Sequence, residues 1–167
     1  DTEVRIRGEA ERLGPTVERG FLTTFTVPDA PKINRQHGGR LELAQWITSS
    51  KNPLTARVAV NRIWQHLFGE GIVNTVDNFG INGGKPSHPE LLDHLAQRFI
   101  ANDWSVKKLV RSIALSHSYR LGSDETDSHR EIDPANRLVW RHSPRRLSAE
   151  ELRDSMLASS AQLVTRP

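Results

Sequence analysis

Residues 52 to 69 constrain the fold more than any other stretch, because they combine a helix start signal, a stop signal and apolar residues around most of the circumference. Pro53 suits a first helical turn, where a missing N–H costs nothing, and Gly69 suits the left-handed conformation that ends a helix. The spacing predicts a helix from about 53 to 68. Its apolar arc consists of Ala56, Val60, Ile63, Trp64 and Leu67. A helix that is apolar nearly all round is expected at the centre of a domain.

Three polar residues of this helix project between apolar neighbours at i, i+4, i+8 spacing. They are Arg57, Asn61 and Gln65. An unpaired charge or amide there would be costly, so we expect each to be hydrogen-bonded inside the domain. His117 falls in the apolar arc of a later helix and is interpreted as a satisfied core histidine. These four residues are the candidate buried polar network.

Periodicity and caps predict four further helices, and therefore a mainly α, compact helical domain of about five helices. The first covers about 40 to 49. The second is capped by Ser87, with Pro89 in its first turn, and the third is capped by Ser105 and runs to about His117. The last begins with a capping box, Ser148 and Glu151, and continues to about Leu163.

The segments between these helices are predicted to differ in character. Residues 3 to 7 and 20 to 27 resemble short strands, so residues 1–33 are predicted to be a small β-ribbon and linker, and 34–167 the helical domain. Residues 70 to 87 are predicted to form a long ordered loop with apolar anchors at Ile72, Val73, Val76, Phe79 and Ile81. The polar, acidic stretch 122 to 131 is predicted to be a mobile surface loop, with a short helical turn starting at Asp133-Pro134.

Composition limits the function classes. The chain has 167 residues, a net charge of +3 and no cysteine, which excludes disulfides, cysteine nucleophiles and cysteine-ligated metal. No apolar run approaches the roughly 20 residues that span a bilayer, so no membrane span is expected. The chain opens on Asp-Thr-Glu without a Met, so we expect a fragment of a longer polypeptide.

The densest basic cluster is formed by Arg137, Arg141, Arg145 and Arg146, with His142 among them. The last two arginines precede a helix N-terminus, where the helix dipole disfavours cations, so an anion should compensate. Internal acids are one source, either Glu150 and Glu151 or the acidic run from 124 to 133. An external carboxylate, phosphate or sulfated polymer is the other, which makes the cluster a candidate anion-binding site.

Other signatures are weak. The seven histidines contain no helical H-x-x-x-H pair and no H-E-x-x-H, so no metal site is predicted. Pro86 interrupts the Gly-Lys-Ser order that a phosphate loop requires. The helical pair at 88 to 117, with Lys107, Lys108 and Arg111, has the outline of a helix-turn-helix, but any helical hairpin shares that outline, so nucleic-acid binding is unlikely on this pattern.

Seven short motifs occur in a fixed order. They are 39–44 (GRLELA), 52–57 (NPLTAR), 61–66 (NRIWQH), 88–93 (HPELLD), 118–120 (SYR), 136–140 (NRLVW) and 145–147 (RRL). Over about 17 to 165, this set resembles the planctomycete domain of unknown function found at the C-terminal end of large exported proteins, often behind a cytochrome-c-like haem domain.

The resemblance implies an extracytoplasmic location, neighbouring domains in the same polypeptide as partners, and haem elsewhere in the parent, with no cofactor in this fragment. It supplies no catalytic residues. Besides Arg57, Asn61 and three arginines of the cluster, Arg137, Arg145 and Arg146, its motifs include Arg62, Trp64, His66, His88, Arg120, Asn136 and Trp140.

Three hypotheses follow. The first is a non-catalytic structural or interaction module of an exported, cytochrome-c-associated multidomain protein. The second is an enzyme or accessory domain that binds an anionic polysaccharide-like substrate through the arginines; a cleft joining the loop at 70 to 87 with residues 137 to 146, and holding a histidine and a free carboxylate, would favour it. The third is a weak nucleic-acid binder. The residues favour a non-enzyme without deciding the matter.

Overall fold

Helix α2 (Thr55–Phe68) lies at the centre of the fold, as its sequence predicts. The Asn52 carboxamide accepts hydrogen bonds from the backbone N–H groups of Leu54 and Thr55, so helical geometry begins two residues after Pro53. At the other end Gly69 has a φ of 88° and its N–H donates to the Gln65 carbonyl, 2.7 Å away. Both end signals therefore act close to their predicted positions.

The computed structural model describes residues 2–34 and 36–165. Within those ranges six α-helices and one two-stranded antiparallel ribbon are present, and 42% of the chain is helical, which confirms the predicted mainly α class. Residues 1, 35, 166 and 167 of the two predicted segments lie outside the described residues. None of the helices in the described ranges is long and apolar enough to cross a membrane.

The core forms where α2 packs on α3 (Pro89–Ala101), and α4 (Val106–Ala114) packs on α3 in turn. The buried side chains of the core come from α2, the following loop, α3 and α4. They are Ala56, Val60, Trp64, Phe68, Ile72, Val73, Leu92, Leu95, Ala96, Phe99, Leu109 and Ile113. Residues at i, i+3 and i+4 spacing thus meet across three helices, as an apolar stripe requires.

Two details of this hairpin differ from prediction. Ser87 does not cap α3, because both its N–H and its hydroxyl are engaged by the Ile72 carbonyl, and His88 takes the cap position. Helix α4 ends at Ala114, and Ser116 Oγ then accepts from the Tyr119 N–H at the start of a 3₁₀ turn (Ser118–Arg120). Ser105 does cap α4, as predicted, by accepting from the Lys108 N–H.

The N-terminal ribbon pairs different segments from those predicted. Strand β1 (Thr2–Arg5) pairs with β2 (Leu13–Val17), whereas residues 20–27 are irregular. The 3₁₀ turn Ile6–Gly8, with Gly8 at a φ of 79°, reverses the chain early, so the nearer segment pairs. The predicted second strand at 20–27 was wrong because tertiary packing overrides β-propensity.

Helix α1 (Arg40–Thr48) is held mainly by that irregular segment. Its buried Trp46 stacks on Phe21, with ring centroids 5.3 Å apart, and on Phe25 at 5.5 Å. Val27 of the same segment is also buried. The domain boundary after residue 33 stays a prediction. Because Phe21 and Phe25 pack on α1, these contacts favour a domain boundary that precedes Phe21.

The loop from 70 to 88 is ordered, as predicted, around buried Ile72 and Val73 and half-buried Phe79. Ile81 is fully exposed, so its predicted role as an anchor was wrong. Its neighbours Gly80, Asn82 and Gly83 belong to a tight turn, closed by a bond from the Gly83 N–H to the Gly80 carbonyl, which directs Ile81 to solvent.

The C-terminal part contains two helices. Helix α5 (Asp127–Ile132) lies partly inside the stretch predicted to be a mobile loop, and it precedes the predicted turn at 133. Helix α6 (Ala149–Ser159) begins with the predicted capping box but ends four residues before Leu163. Ala161, with a φ of 56°, turns the chain there. Residues 139–144 are irregular and form no strand pairing within the described ranges.

Candidate functional site

A cleft opens where three parts of the chain meet. The end of α2 contributes Trp64 and Phe68, whose rings stack with centroids 4.0 Å apart. The loop that follows contributes Glu70, Gly71, Ile72, Asn74, Ser87 and His88. The segment after α5 contributes Asn136, Arg137, Val139 and Ser143. The cleft therefore has a buried aromatic and aliphatic floor and polar walls, the usual composition of a small-ligand site.

The floor is held from behind by further aromatic contacts. Phe68 meets the Tyr119 ring edge-on at 5.5 Å and stacks near the His142 ring at 6.1 Å. Tyr119 and His142 also meet edge-on, with centroids 5.3 Å apart. This four-ring group, completed by Trp64, joins α2 to the segment that carries the polar wall, so the floor is rigid.

Ser87 and His88 form the histidine wall of the cleft. Ser87 Oγ lies 3.0 Å from His88 Nδ1 and donates to the Ile72 carbonyl at 3.2 Å. When the Ser87 hydroxyl donates its one proton to the Ile72 carbonyl, the tautomer that fits this contact has Nδ1–H donating to Ser87 Oγ and Nε2 as an acceptor. The histidine is thereby oriented as a base or a hydrogen-bond acceptor.

The opposite wall is built on the buried Asp133. Its carboxylate accepts from the N–H groups of Arg137 (3.0 Å) and Leu138 (2.7 Å), and its carbonyl accepts from Trp140 Nε1 (3.0 Å). Val139 nevertheless sits at a φ of 56°, which is unusual for a β-branched residue and costs energy. Asp133 is therefore the residue that fixes this strained turn against the cleft.

Asn136 completes that wall. Its carboxamide donates to the Arg141 carbonyl at 2.8 Å and to Ser143 Oγ at 2.7 Å, and it accepts from the Arg141 N–H. Asn136 also has a positive φ, 53°, which asparagine tolerates better than most residues. Its role in the structure is to close the segment from 136 to 143 into one compact unit.

Two opposite charges stand at the mouth of the cleft. Glu70 and Arg137 are both exposed, and within residues 2–34 and 36–165 neither side chain has a hydrogen bond or an ion pair. The enclosed space is about 30 Å³, room for one or two water-sized groups. A histidine and a free carboxylate therefore do share a cleft with the loop and Arg137, which is the arrangement that favours ligand binding.

The structure divides the predicted arginine cluster into two kinds. Arg141 pairs with Glu125 at 2.8 Å and lies over the Trp140 ring, and its side chain is only 13% exposed. Arg145 makes two hydrogen bonds to Glu151, one of 2.9 Å. Each of the two acidic stretches that the sequence offers as partners, the first turn of α6 and the run from 124 to 133, therefore pairs with one arginine. Arg137 and Arg146 have no side-chain partner in the described part of the chain.

Glu151 is the titratable group most affected by these contacts. Hydrogen bonds from Arg145 and then from the Ser148 N–H lower the pKa of Glu151 from 4.5 to about 2. It belongs to the capping box of α6, since its own N–H donates to Ser148 Oγ at 3.1 Å. The positive charge of Arg145, which precedes α6, is therefore compensated by the Glu151 carboxylate in the first turn of that helix.

The candidate buried polar network separates into independent contacts. Arg57 Nε donates to Asp93 Oδ1 of α3 at 2.6 Å, and this bond lowers the pKa of Asp93. Asn61 is fully buried and exchanges two bonds with the Val73 backbone, at 2.9 and 2.8 Å. Gln65 is half-buried. The core interpretation of His117 was wrong: it is exposed, because α4 ends before it and the helical arc does not extend that far.

The remaining motif positions are scattered. Arg62 pairs with exposed Asp77 at 3.3 Å, His66 is exposed, and Arg120 Nε approaches the Ser116 carbonyl at 3.4 Å. Five residues of the seven motifs line the cleft: Trp64, His88, Asn136, Arg137 and Val139. Glu70 and Asn74 were missed as cleft residues, since their only signal was their place in a long ordered loop. Within the described ranges, no three His, Asp or Glu side chains are grouped as a metal site.

Fold and cleft define a class: a small, mainly α-helical domain with one polar, aromatic-floored cleft between a loop and a rigid turn. Residues 39–167 match the PSD1 family, described as a protein of unknown function (DUF1553), and the chain belongs to that family. Comparisons with curated proteins and with solved structures find no match.

Proposed function

We propose that this domain is an interaction module that docks on neighbouring domains of an exported, cytochrome-c-associated polypeptide. One observation carries the proposal: α6 has no buried residue, although it is amphipathic. Leu152 is 53% exposed and Met156 is 65% exposed, one turn apart on the same face. More than half of each side chain is therefore open to solvent.

Physical chemistry makes an uncovered α6 unfavourable on its own. A helix of 11 residues is marginal in water even with a good cap, because tertiary packing supplies most helical stability in proteins. Ser155 and Ser159 hydroxyls donate to carbonyls one turn earlier, at 2.7 Å each, so they require no partner of their own. The face that contains Leu152 and Met156 is thus suited to contact another protein surface.

Helix α1 supports the same proposal. Its Trp46 is buried against Phe21 and Phe25, but Leu41 and Ile47 on its other sides are exposed. Two helices at opposite ends of the helical sequence therefore present apolar residues to solvent. Such surfaces are typical of domains that pack on others.

The test is amide hydrogen exchange of α6 in the 167-residue chain and in the longer polypeptide that contains it. We expect fast exchange over residues 149–159 in the isolated domain and strong protection in the longer chain. The double variant L152S/M156S should lose that protection, whereas L115S, which changes an exposed leucine just after α4, should keep it. Equal exchange in both contexts contradicts the proposal.

The cellular setting is tested separately. A longer polypeptide purified from its source should come from an extracytoplasmic fraction and show the visible absorption bands of c-type haem. A cytoplasmic fraction without haem absorption contradicts that part of the proposal and leaves the docking role standing.

The second candidate, binding of an anionic polysaccharide-like substrate, rests on different support. Arg141 and Arg145 are neutralised by Glu125 and Glu151, so four free arginines are not available to an anion. What favours this candidate is the cleft, which Arg137, His88 and Glu70 all line. For the nucleic-acid candidate, Lys107, Lys108 and Arg111 are exposed on α4, and a steep salt dependence of DNA affinity would be its signature.

A further inference from the structure

We propose that the cleft binds the carboxylate end of a small organic acid that carries a hydrogen-bond donor on the neighbouring carbon, as in a hydroxy acid, an amino acid or a sugar acid. This site is separate from the docking face of α6 and does not depend on it. Three features of the cleft suit such a ligand: the two opposite charges that line it, the small interior and the apolar floor.

Arg137 supplies the anion-binding group. Its guanidinium carries five N–H donors in a planar fork that matches a carboxylate, and none of them has a partner in the described part of the chain. Its backbone is fixed, since its N–H is held by Asp133 and both Asn136 and Val139 have positive φ. The guanidinium is therefore attached to a rigid turn at the cleft rather than to a freely moving loop.

Glu70 is the reason why the ligand needs a hydrogen-bond donor. It lies at the same cleft, yet it makes no ion pair with Arg137 within 4 Å. Two opposite charges that line one cleft without pairing are each available to a different group of the same ligand, one anionic and one hydrogen-bond donating. A hydroxyl or ammonium next to the ligand carboxylate satisfies Glu70 while the carboxylate satisfies Arg137.

The interior limits how much of the ligand enters. About 30 Å³ accommodates one or two non-hydrogen groups, so only the acid end is enclosed and the rest stays outside. The floor of Trp64 and Phe68 is apolar and suits the C–H side of such a group. His88 Nε2, left as an acceptor by the bond between His88 and Ser87, offers a second place for the ligand's donor.

The experiment is a titration of the ¹⁵N-labelled protein followed by two-dimensional NMR. The probes are lactate, alanine and glucuronate, with propionate as the acid that lacks the neighbouring donor and glucose as the neutral polyol. We expect at least one of the first three to bind at least tenfold more tightly than propionate, with resonances of residues 70–74 and 136–143 shifting. Glucose should not bind at about 10 mM. Which of the three binds best distinguishes the hydroxy-acid, amino-acid and sugar-acid sources.

Variants make the assignment specific. R137A should weaken binding at least tenfold, whereas R146A, which removes an equally exposed and unpaired arginine outside the cleft, should change it less than twofold. E70Q should reduce the preference of the protein for the acid with a neighbouring donor over propionate. E90Q on α3 should leave that preference unchanged. In the part of the chain that the structure describes, none of these four side chains makes a hydrogen bond or an ion pair, so all four variants should fold normally.

The proposal is overturned by any of three results. The first is no shift with any acid at about 10 mM. The second is propionate binding as tightly as the other acids, and the third is an equal effect of R137A and R146A. None of these results bears on the exchange behaviour of α6.

Discussion

Asn61 is the residue on which the position of the cleft most depends. It is the only polar side chain among the described residues that is completely buried, and it joins α2 to the loop at Val73 through both a donated and an accepted bond. The loop carries Glu70, Asn74 and His88 into the cleft, so one amide in the core places one whole wall of the site.

Replacing Asn61 with alanine should therefore destabilise the protein strongly. The Val73 N–H and carbonyl would both be buried without partners, at about 1 to 3 kcal/mol for each such group, so we expect a loss of about 3 kcal/mol in the free energy of unfolding. Urea denaturation measures it. N102A, which removes an exposed side-chain bond to the Arg98 carbonyl, should cost under about 1 kcal/mol and serves as the control.

Gly71 is required for a different reason, the close approach of neighbouring atoms. A Cβ at this position would lie 2.6 Å from the Val73 carbonyl oxygen and 2.8 Å from Asn61 Nδ2. G71A should cost about 2 kcal/mol, because the loop must move away from Asn61. At Gly38 a Cβ meets nothing within 4 Å, so G38A should leave stability unchanged or raise it by up to about 1 kcal/mol. Equal melting temperatures for the two variants would contradict this account.

Among the elements, the start of α6 depends on pH through Glu151. The pKa of Glu151 is lowered from 4.5 to about 2 by Arg145 and the Ser148 N–H, so the folded helix favours the ionised form. The stabilisation is fully present above the unfolded pKa of 4.5 and is lost as pH falls towards 2. Helix α6 should thus loosen in acid before the core unfolds.

The measurement is the exchange rate of α6 amides between pH 2 and pH 7, corrected for intrinsic exchange, in the native chain and in E151Q. E151Q should exchange faster than the native chain near pH 7 and equally near pH 2. E150Q removes the same charge from the first turn without touching Arg145 or Ser148, so the pH-dependent difference should be much smaller. A constant difference between E151Q and the native chain at all pH values would refute this role.

Several elements were predictable and others were not. Helix α2 and the caps at Ser105 and Ser148 depend on local chemistry, and the structure confirms them. The absence of a strand at 20–27 and the lack of a cap at Ser87 depend on partners 15 or more residues away, Trp46 and the Ile72 carbonyl. The end of α4 depends instead on the local turn that begins at Ser116, which helical periodicity does not reveal.

Over the whole molecule, stability is concentrated in α2, α3 and α4. Leu92 is buried in that core, so L92A should lower the free energy of unfolding by about 3 kcal/mol. Deletion of residues 2–18 should change it by less than about 1 kcal/mol, because the ribbon has no buried residue among those described and a lone two-stranded ribbon is marginal. Chemical denaturation of both variants checks the contrast, and a large loss on deletion would place the ribbon inside the core.

The sequence by itself determined the central helix, the mainly α class and the motif residues, because helix signals and apolar periodicity are local properties of the chain. Only the tertiary structure decided how the arginines divide. Arg141 and Arg145 meet Glu125 and Glu151, while Arg137 has no side-chain partner among the described residues and lines one cleft with Glu70 and His88. The physical reason is that a charge's partner depends on distance in space, and the chain brings residues 70 and 137 to one cleft only after its helices have packed.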